Sequence, residues 1–144
     1  MIFKDLKQKI KTFIKDELIS LEPWIVNSEW SEKLPKLNEL RDKVKDMGFW
    51  LPQVSKEYGG LGLTLEQHGE VSEMLGASPY GFYVFNCQAP DAGNMEVLIE
   101  TGTDEQKQKY LYPLLEGKIR SCFAMTEPNY AGSNPTRMGT TAKK

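Results

Sequence analysis

The feature that most limits how this chain can fold is a change of hydrophobic period. From Phe3 to Pro113 apolar residues recur at the three- and four-residue spacings of helices. Only after Gly117 does one stretch, residues 119–126 (IRSCFAMT), carry the composition of a strand. A lone strand cannot make a sheet, because its rows of amide and carbonyl groups need a neighbour. The pattern therefore predicts a mainly α fold, with a helical domain over residues 1–117 and the beginning of an incomplete β-domain over 118–144. The 144 residues suffice for one domain, or one domain plus a fragment of a second. At this size roughly two-thirds of the extended chain's surface can be buried, so no disulfide or metal is needed as a staple.

The helices have recognisable ends. Phe3, Leu6, Ile10, Phe13, Ile14, Leu18 and Leu21 form one stripe of an amphipathic helix that Pro23 is expected to stop. A second helix is expected from Pro35 to Met47, with Leu37, Leu40, Val44 and Met47 inward and Gly48 as a left-handed cap. After a glycine-punctuated loop, Thr64 and Gln67 make a capping box, and Val71, Met74 and Leu75 give the next stripe before Gly76. Ser78-Pro79 reads as another helix start, and residues 80–85, apolar nearly all round, as a central buried helix. A helix over residues 91–99 stops by Gly102. Thr103 with Gln106 caps the last one, expected to end near Pro113.

Composition removes several function classes. Eighteen Lys+Arg against twenty Asp+Glu give a net charge of −2, which argues against a nucleic-acid binder. No apolar run approaches the ~20 residues of a membrane span. Two cysteines, Cys87 and Cys122, cannot form a disulfide framework or a paired-cysteine metal site, and the single histidine, His68, makes a His-based zinc site or a serine triad improbable. The N-terminus carries Asp5, Asp16 and Glu17 and lacks the apolar core of a secretory signal, so a reduced, cytoplasmic setting is expected.

The chemically richest stretch is residues 123–133, Phe-Ala-Met-Thr-Glu-Pro-Asn-Tyr-Ala-Gly-Ser. On its own it is a strand that stops at Pro128 and enters a loop of small residues. Such a place offers free backbone N–H groups and hydroxyls, and Gly132 allows a ligand to approach closely. A planar heteroaromatic with a polar edge or a pyrophosphate would suit it; an ordinary strand end and turn has the same composition.

Residues 122–133 resemble the flavin-binding signature of the acyl-CoA dehydrogenase family: aromatic, small, apolar, Thr-Glu-Pro, a short spacer and a small residue before serine. Three further blocks agree in order and spacing: the loop 56–62 (KEYGGLG), 102–107 (GTDEQK) and 111–117 (LYPLLEG). Residues 89–95 (APDAGNM) and the spacer Asn129-Tyr130 are most similar to the subgroup related to the long, multidomain members and to carnitine-type relatives. The resemblance implies an acyl-CoA dehydrogenase-like N-terminal helical bundle, followed by the first strand of a truncated β-barrel-like middle domain. It also implies FAD, an acyl-CoA substrate dehydrogenated at its α and β carbons, an electron-transfer flavoprotein as acceptor, and a homodimer or homotetramer. Carried over position by position, Phe123, Ala124, Met125, Thr126, Gly132 and Ser133 would bind the cofactor, with Thr126 donating to the flavin edge. Ser133, Val84, Phe85 and Gln88 would meet the substrate. The catalytic base is expected beyond residue 144, so the isolated chain should be inactive; Glu127 belongs to the strand-end turn and His68 to a helix surface. Asn134 stands where the family usually has aspartate. A flavin oxidase or oxygenase on the same scaffold, or a helical binding module without flavin, remain the alternatives.

Overall fold

The first stripe becomes α1 (Phe3–Phe13), which buries Leu6, Ile10 and Phe13. The computed structural model that shows this describes residues 2–130, 132 and 134–143. The stripe continues through a π-helical turn, Ile14–Leu18, and a 3-10 turn, Ile19–Leu21, into α2 (Glu22–Asn27). Pro23 thus does not stop a helix. It sits in the first turn of α2, where its missing N–H would have had no partner.

The second expected helix begins earlier than its proline suggested. α3 (Trp30–Asp46) is entered at Glu29, whose N–H donates to the Glu32 carboxylate at 3.1 Å, and Pro35 lies inside the helix. Leu37, Leu40 and Val44 are buried as expected, whereas Met47 is exposed and Arg41 takes an inward place. Gly48 adopts φ 71°, and the helix closes in a Schellman motif: Phe49 N–H to Val44 O at 3.0 Å and Gly48 N–H to Lys45 O at 2.9 Å.

α4 (Leu65–Leu75) starts at the Thr64–Gln67 capping box, and α5 (Gly81–Val84) is a single turn that begins after Pro79 rather than at it. α6 (Asp91–Thr101) comes next. Then α7 (Asp104–Gln106), capped by Thr103, runs through a π turn, Lys107–Leu111, into α8 (Tyr112–Leu115). This last run ends at Leu115, close to Pro113 as expected, with the proline in the first turn of α8.

Two clusters make the core. The larger gathers Leu6, Ile10, Leu18, Leu40, Val44, Val71, Leu75, Val84 and Phe85; the smaller gathers Leu51, Val54, Met95, Leu111, Leu114 and Leu115. Trp50 packs against both. Residues 84–85 are therefore central, although their helix is shorter than expected.

The expected first strand is absent. Among the described residues there is no β-strand, and residues 119–126 have no regular secondary structure beyond the turn that opens them. The reason is the one the period change implied: no second strand is available to complete the ladder.

Candidate functional site

The site is built where the chain leaves the helices. α6 opens with Asp91, whose side chain is fully buried and accepts four hydrogen bonds. The donors are Arg120 Nε at 2.5 Å, Ser121 N–H at 2.8 Å, Ser121 Oγ at 2.6 Å and Gln88 Nε2 at 2.5 Å. One turn further along, Asn94 Nδ2 donates to Ser121 Oγ at 2.8 Å and to the Cys122 carbonyl at 3.4 Å. Burial alone pushes the Asp91 carboxyl up, but the bonds from Ser121 and Arg120 outweigh it and hold it below its usual value.

Arg120 belongs to a second arrangement as well. Its guanidinium lies 5.0 Å from the Tyr83 ring centroid, and that of Arg41 lies 4.7 Å from the same ring and 4.8 Å from Trp50. Arg41 is buried and has no carboxylate partner among the described residues. It donates instead to the Tyr83 carbonyl at 2.6 Å and, at 3.4 Å each, to Asn86 Oδ1 and the Gly117 carbonyl. A cation can be held this way because carbonyl dipoles and aromatic faces replace part of its hydration. Burial lowers its pKa. Gly117 has φ 72°, and a Cβ there would run into Arg41 and Trp50.

Beside these residues lies an open groove of about 710 Å³, walled by Trp30, Tyr80, Phe82, Tyr83, Cys87 and Gln88, with Arg120 on its rim. Gln88 Oε1 is buried and has no hydrogen-bond partner. Of the three residues expected to wall an acyl pocket, Gln88 faces the groove; Val84 and Phe85 lie in the core, Phe85 edge-on to Phe13 at 5.8 Å. Burial pushes the Cys87 thiol up to about 12. His68 is elsewhere, on α4, 3.4 Å from Ser72 Oγ.

Beyond the groove, Phe123 is 64% and Met125 42% exposed, and Ala124 and Thr126 are exposed too. Among the described residues, the N–H groups of Phe123, Ala124, Met125 and Thr126 make no hydrogen bond, nor does the Thr126 hydroxyl. Gly132 folds back so closely that a Cβ would overlap Thr126 Cγ2. Ser133 lies outside the described residues. Glu127 accepts from the N–H groups of Gly139 at 2.8 Å and Thr140 at 2.7 Å, and from the Thr140 hydroxyl. Those bonds, the Thr140 hydroxyl first, hold its carboxyl below the usual range. Its oxygens are engaged in closing the loop. Asn134 Oδ1 accepts from the Thr136 N–H and hydroxyl and so caps the 3-10 turn Pro135–Arg137.

Sequence reasoning missed Asp91, Asn94, Arg41 and Arg120. A signal existed for two of them: Asp91 and Asn94 are three apart at the start of a helix, and so share a face. Among the described residues, no His, Cys, Asp and Glu cluster could hold a metal, and no helix is long and apolar enough to cross a membrane.

A bundle of helices that ends in a segment without regular secondary structure defines the class: an all-helical domain. Residues 3–118 match the acyl-CoA dehydrogenase N-terminal domain, and the chain belongs to the acyl-CoA dehydrogenase family. It is 40% identical over 152 residues to acyl-CoA dehydrogenase family member 10 of Mus musculus, covering 98% of this chain and 14% of that one. To family member 11 of Gallus gallus it is 43% identical over 142 residues, covering 90% and 17%. A solved structure assigned as an acyl-CoA dehydrogenase from Mycobacterium abscessus superposes with a TM-score of 0.83 at 36% identity, over 95% of this chain and 37% of that one. The chain thus spans about a sixth of these two curated relatives.

Proposed function

We propose that this chain is the N-terminal part of an FAD-dependent acyl-CoA dehydrogenase, with residues 1–117 as its helical domain and 118–144 opening the middle β-domain. The observation that carries the reading is the row of four N–H groups at residues 123–126 that make no hydrogen bond among the described residues, beside exposed Phe123 and Met125. Exposed apolar side chains suit the face of an isoalloxazine ring, and free donors suit its polar edge. Gly132 packs so closely on Thr126 that a Cβ there would overlap the Thr126 methyl, which keeps this turn tight beside the donors. The residues present therefore fit FAD. When bound, FAD would accept the hydride removed from the acyl group. Thr126 would present an N–H and a hydroxyl where negative charge develops, Phe123, Ala124 and Met125 would pack along the ring, and Gly132 and Ser133 would lie toward the pyrophosphate and thioester.

The groove beside Gln88 supports an acyl-CoA substrate: its walls are mostly apolar, with Gln88 Oε1 free to accept a hydrogen bond. No residue of this chain takes the α-proton; that base lies in the remainder of the enzyme. An electron-transfer flavoprotein as acceptor, a homodimer or homotetramer, and a cytoplasmic setting complete the proposal. Thr126→Val tests it, because it keeps the β-branched shape and deletes the hydroxyl. In the FAD-loaded enzyme, loss of a charge-directed hydrogen bond of about 1.5–3 kcal/mol should lower the two-electron flavin potential by roughly 30–65 mV. An unchanged potential and turnover would mean that Thr126 does not meet the flavin edge.

A further inference from the structure

The segment proposed to meet the flavin makes almost no contacts of its own, yet the residues just before it are held at four atoms. Ser121 N–H and Oγ and Arg120 Nε end on Asp91, and the Cys122 carbonyl ends on Asn94. Both anchors lie on α6, whose own place is set by the buried Met95. We propose that Asp91, with Asn94 one turn on, is a positioning residue that sets the register of the exit segment, and through it presents residues 123–126 to the cofactor. The geometry requires a carboxylate. An Asp91 oxygen receives the Ser121 N–H and Oγ while the other receives Arg120 and Gln88, so every bond needs an acceptor.

A one-residue slip would place Cys122 or Arg120 opposite the carboxylate and shift every following residue by one position along the segment. Among residues 120–126 no other hydrogen bond would resist it. Upstream, the Lys118 N–H ends on the Pro113 carbonyl at 2.9 Å, and the Gly117 carbonyl on Arg41 lies four residues before Ser121. Those bonds close the end of the bundle and leave the register beyond it to Asp91 and Asn94. The cofactor half of this inference rests on the function proposed above; the register half does not.

Asp91→Asn has nearly the same shape but offers one acceptor oxygen in place of two. In the chain as it stands, amide hydrogen exchange at Ser121 should accelerate at least tenfold, while Leu40 and Val44 amides in α3 keep their protection. Ser121→Ala, which removes the Oγ bonds and keeps the N–H bond to Asp91, should accelerate exchange of the amide at position 121 severalfold over the unsubstituted chain, and serves if the first variant fails to fold. In the FAD-loaded enzyme, Asp91→Asn should shift the flavin absorption band and potential with no change in melting of the helical core. Unchanged Ser121 exchange overturns the proposal. So does a loss of protection shared equally by Leu40 and Val44, which would make Asp91 a brace of the core, and so does faster Ser121 exchange with an unaltered bound flavin. If the full-length protein takes up no FAD, the functional reading falls while the exchange result still decides the register.

Discussion

Cys87 and Cys122 carry the same thiol in opposite surroundings. Cys87 is buried on the groove wall, its Sγ 3.7 Å from the Phe82 carbonyl, and desolvation of the thiolate pushes its pKa up to about 12. Cys122 is exposed just past the Asp91 anchor. Because the thiolate is the nucleophile, iodoacetamide at pH 8 should modify one thiol per folded chain. Cys122→Ser should abolish that labelling, and unfolding in denaturant should restore it at Cys87. Two equally fast thiols would show that the groove opens far more than the structure indicates. Residue count in the sequence excluded a disulfide framework but said nothing of this asymmetry, since burial depends on which loops meet. The same holds for Asp91: its partners Arg120 and Ser121 are 29 and 30 positions away, beyond any local pattern.

At the scale of elements, the capping boxes are the parts that local chemistry settles. Thr64 Oγ1 accepts from the Gln67 N–H at 3.2 Å while Gln67 returns a bond to the Thr64 N–H at 3.1 Å. Thr103 and Gln106 repeat this at 3.2 and 2.9 Å. Thr64→Ala should cost about 1 kcal/mol, measured by urea unfolding, and no loss would mean that α4 is held by packing alone. These boxes were legible because all their atoms lie within four residues. Pro23 and Pro35 were not. Pro23 follows a π-helical turn and a 3-10 turn, so a helix that sequence rules would terminate there shifts its register and continues to Asn27. Pro35 was misread for the complementary reason: Glu29 and Glu32 open α3 a turn and a half before it. The missing strand is a third kind of failure. Residues 119–126 have strand composition, and composition cannot supply the neighbour that makes a strand.

At the scale of the whole molecule, the stability of the helices and the order of the exit segment divide near Cys122. Among the described residues, all of the buried apolar ones precede Glu116, yet two buried polar groups of the bundle depend on residues after it. Arg41 leans on the Gly117 carbonyl, and Asp91 on Arg120 and Ser121. Past Cys122 the described side chains are exposed apart from the half-buried Glu127 and Gly132. Two truncations separate these contributions. A chain ending at Cys122 keeps every anchoring bond and should melt within about 3 °C of the full 144 residues, since it loses under ~1 kcal/mol. A chain ending at Glu116 leaves a buried carboxylate and a buried guanidinium short of partners, at about 1–3 kcal/mol for each. Its melting midpoint should fall by roughly 10 °C or more. Calorimetry on the three chains decides the matter. Equal midpoints for the shortest and longest would mean that water replaces the lost donors at no cost, and that the clamp at Asp91 organises the exit segment without stabilising the bundle it leaves.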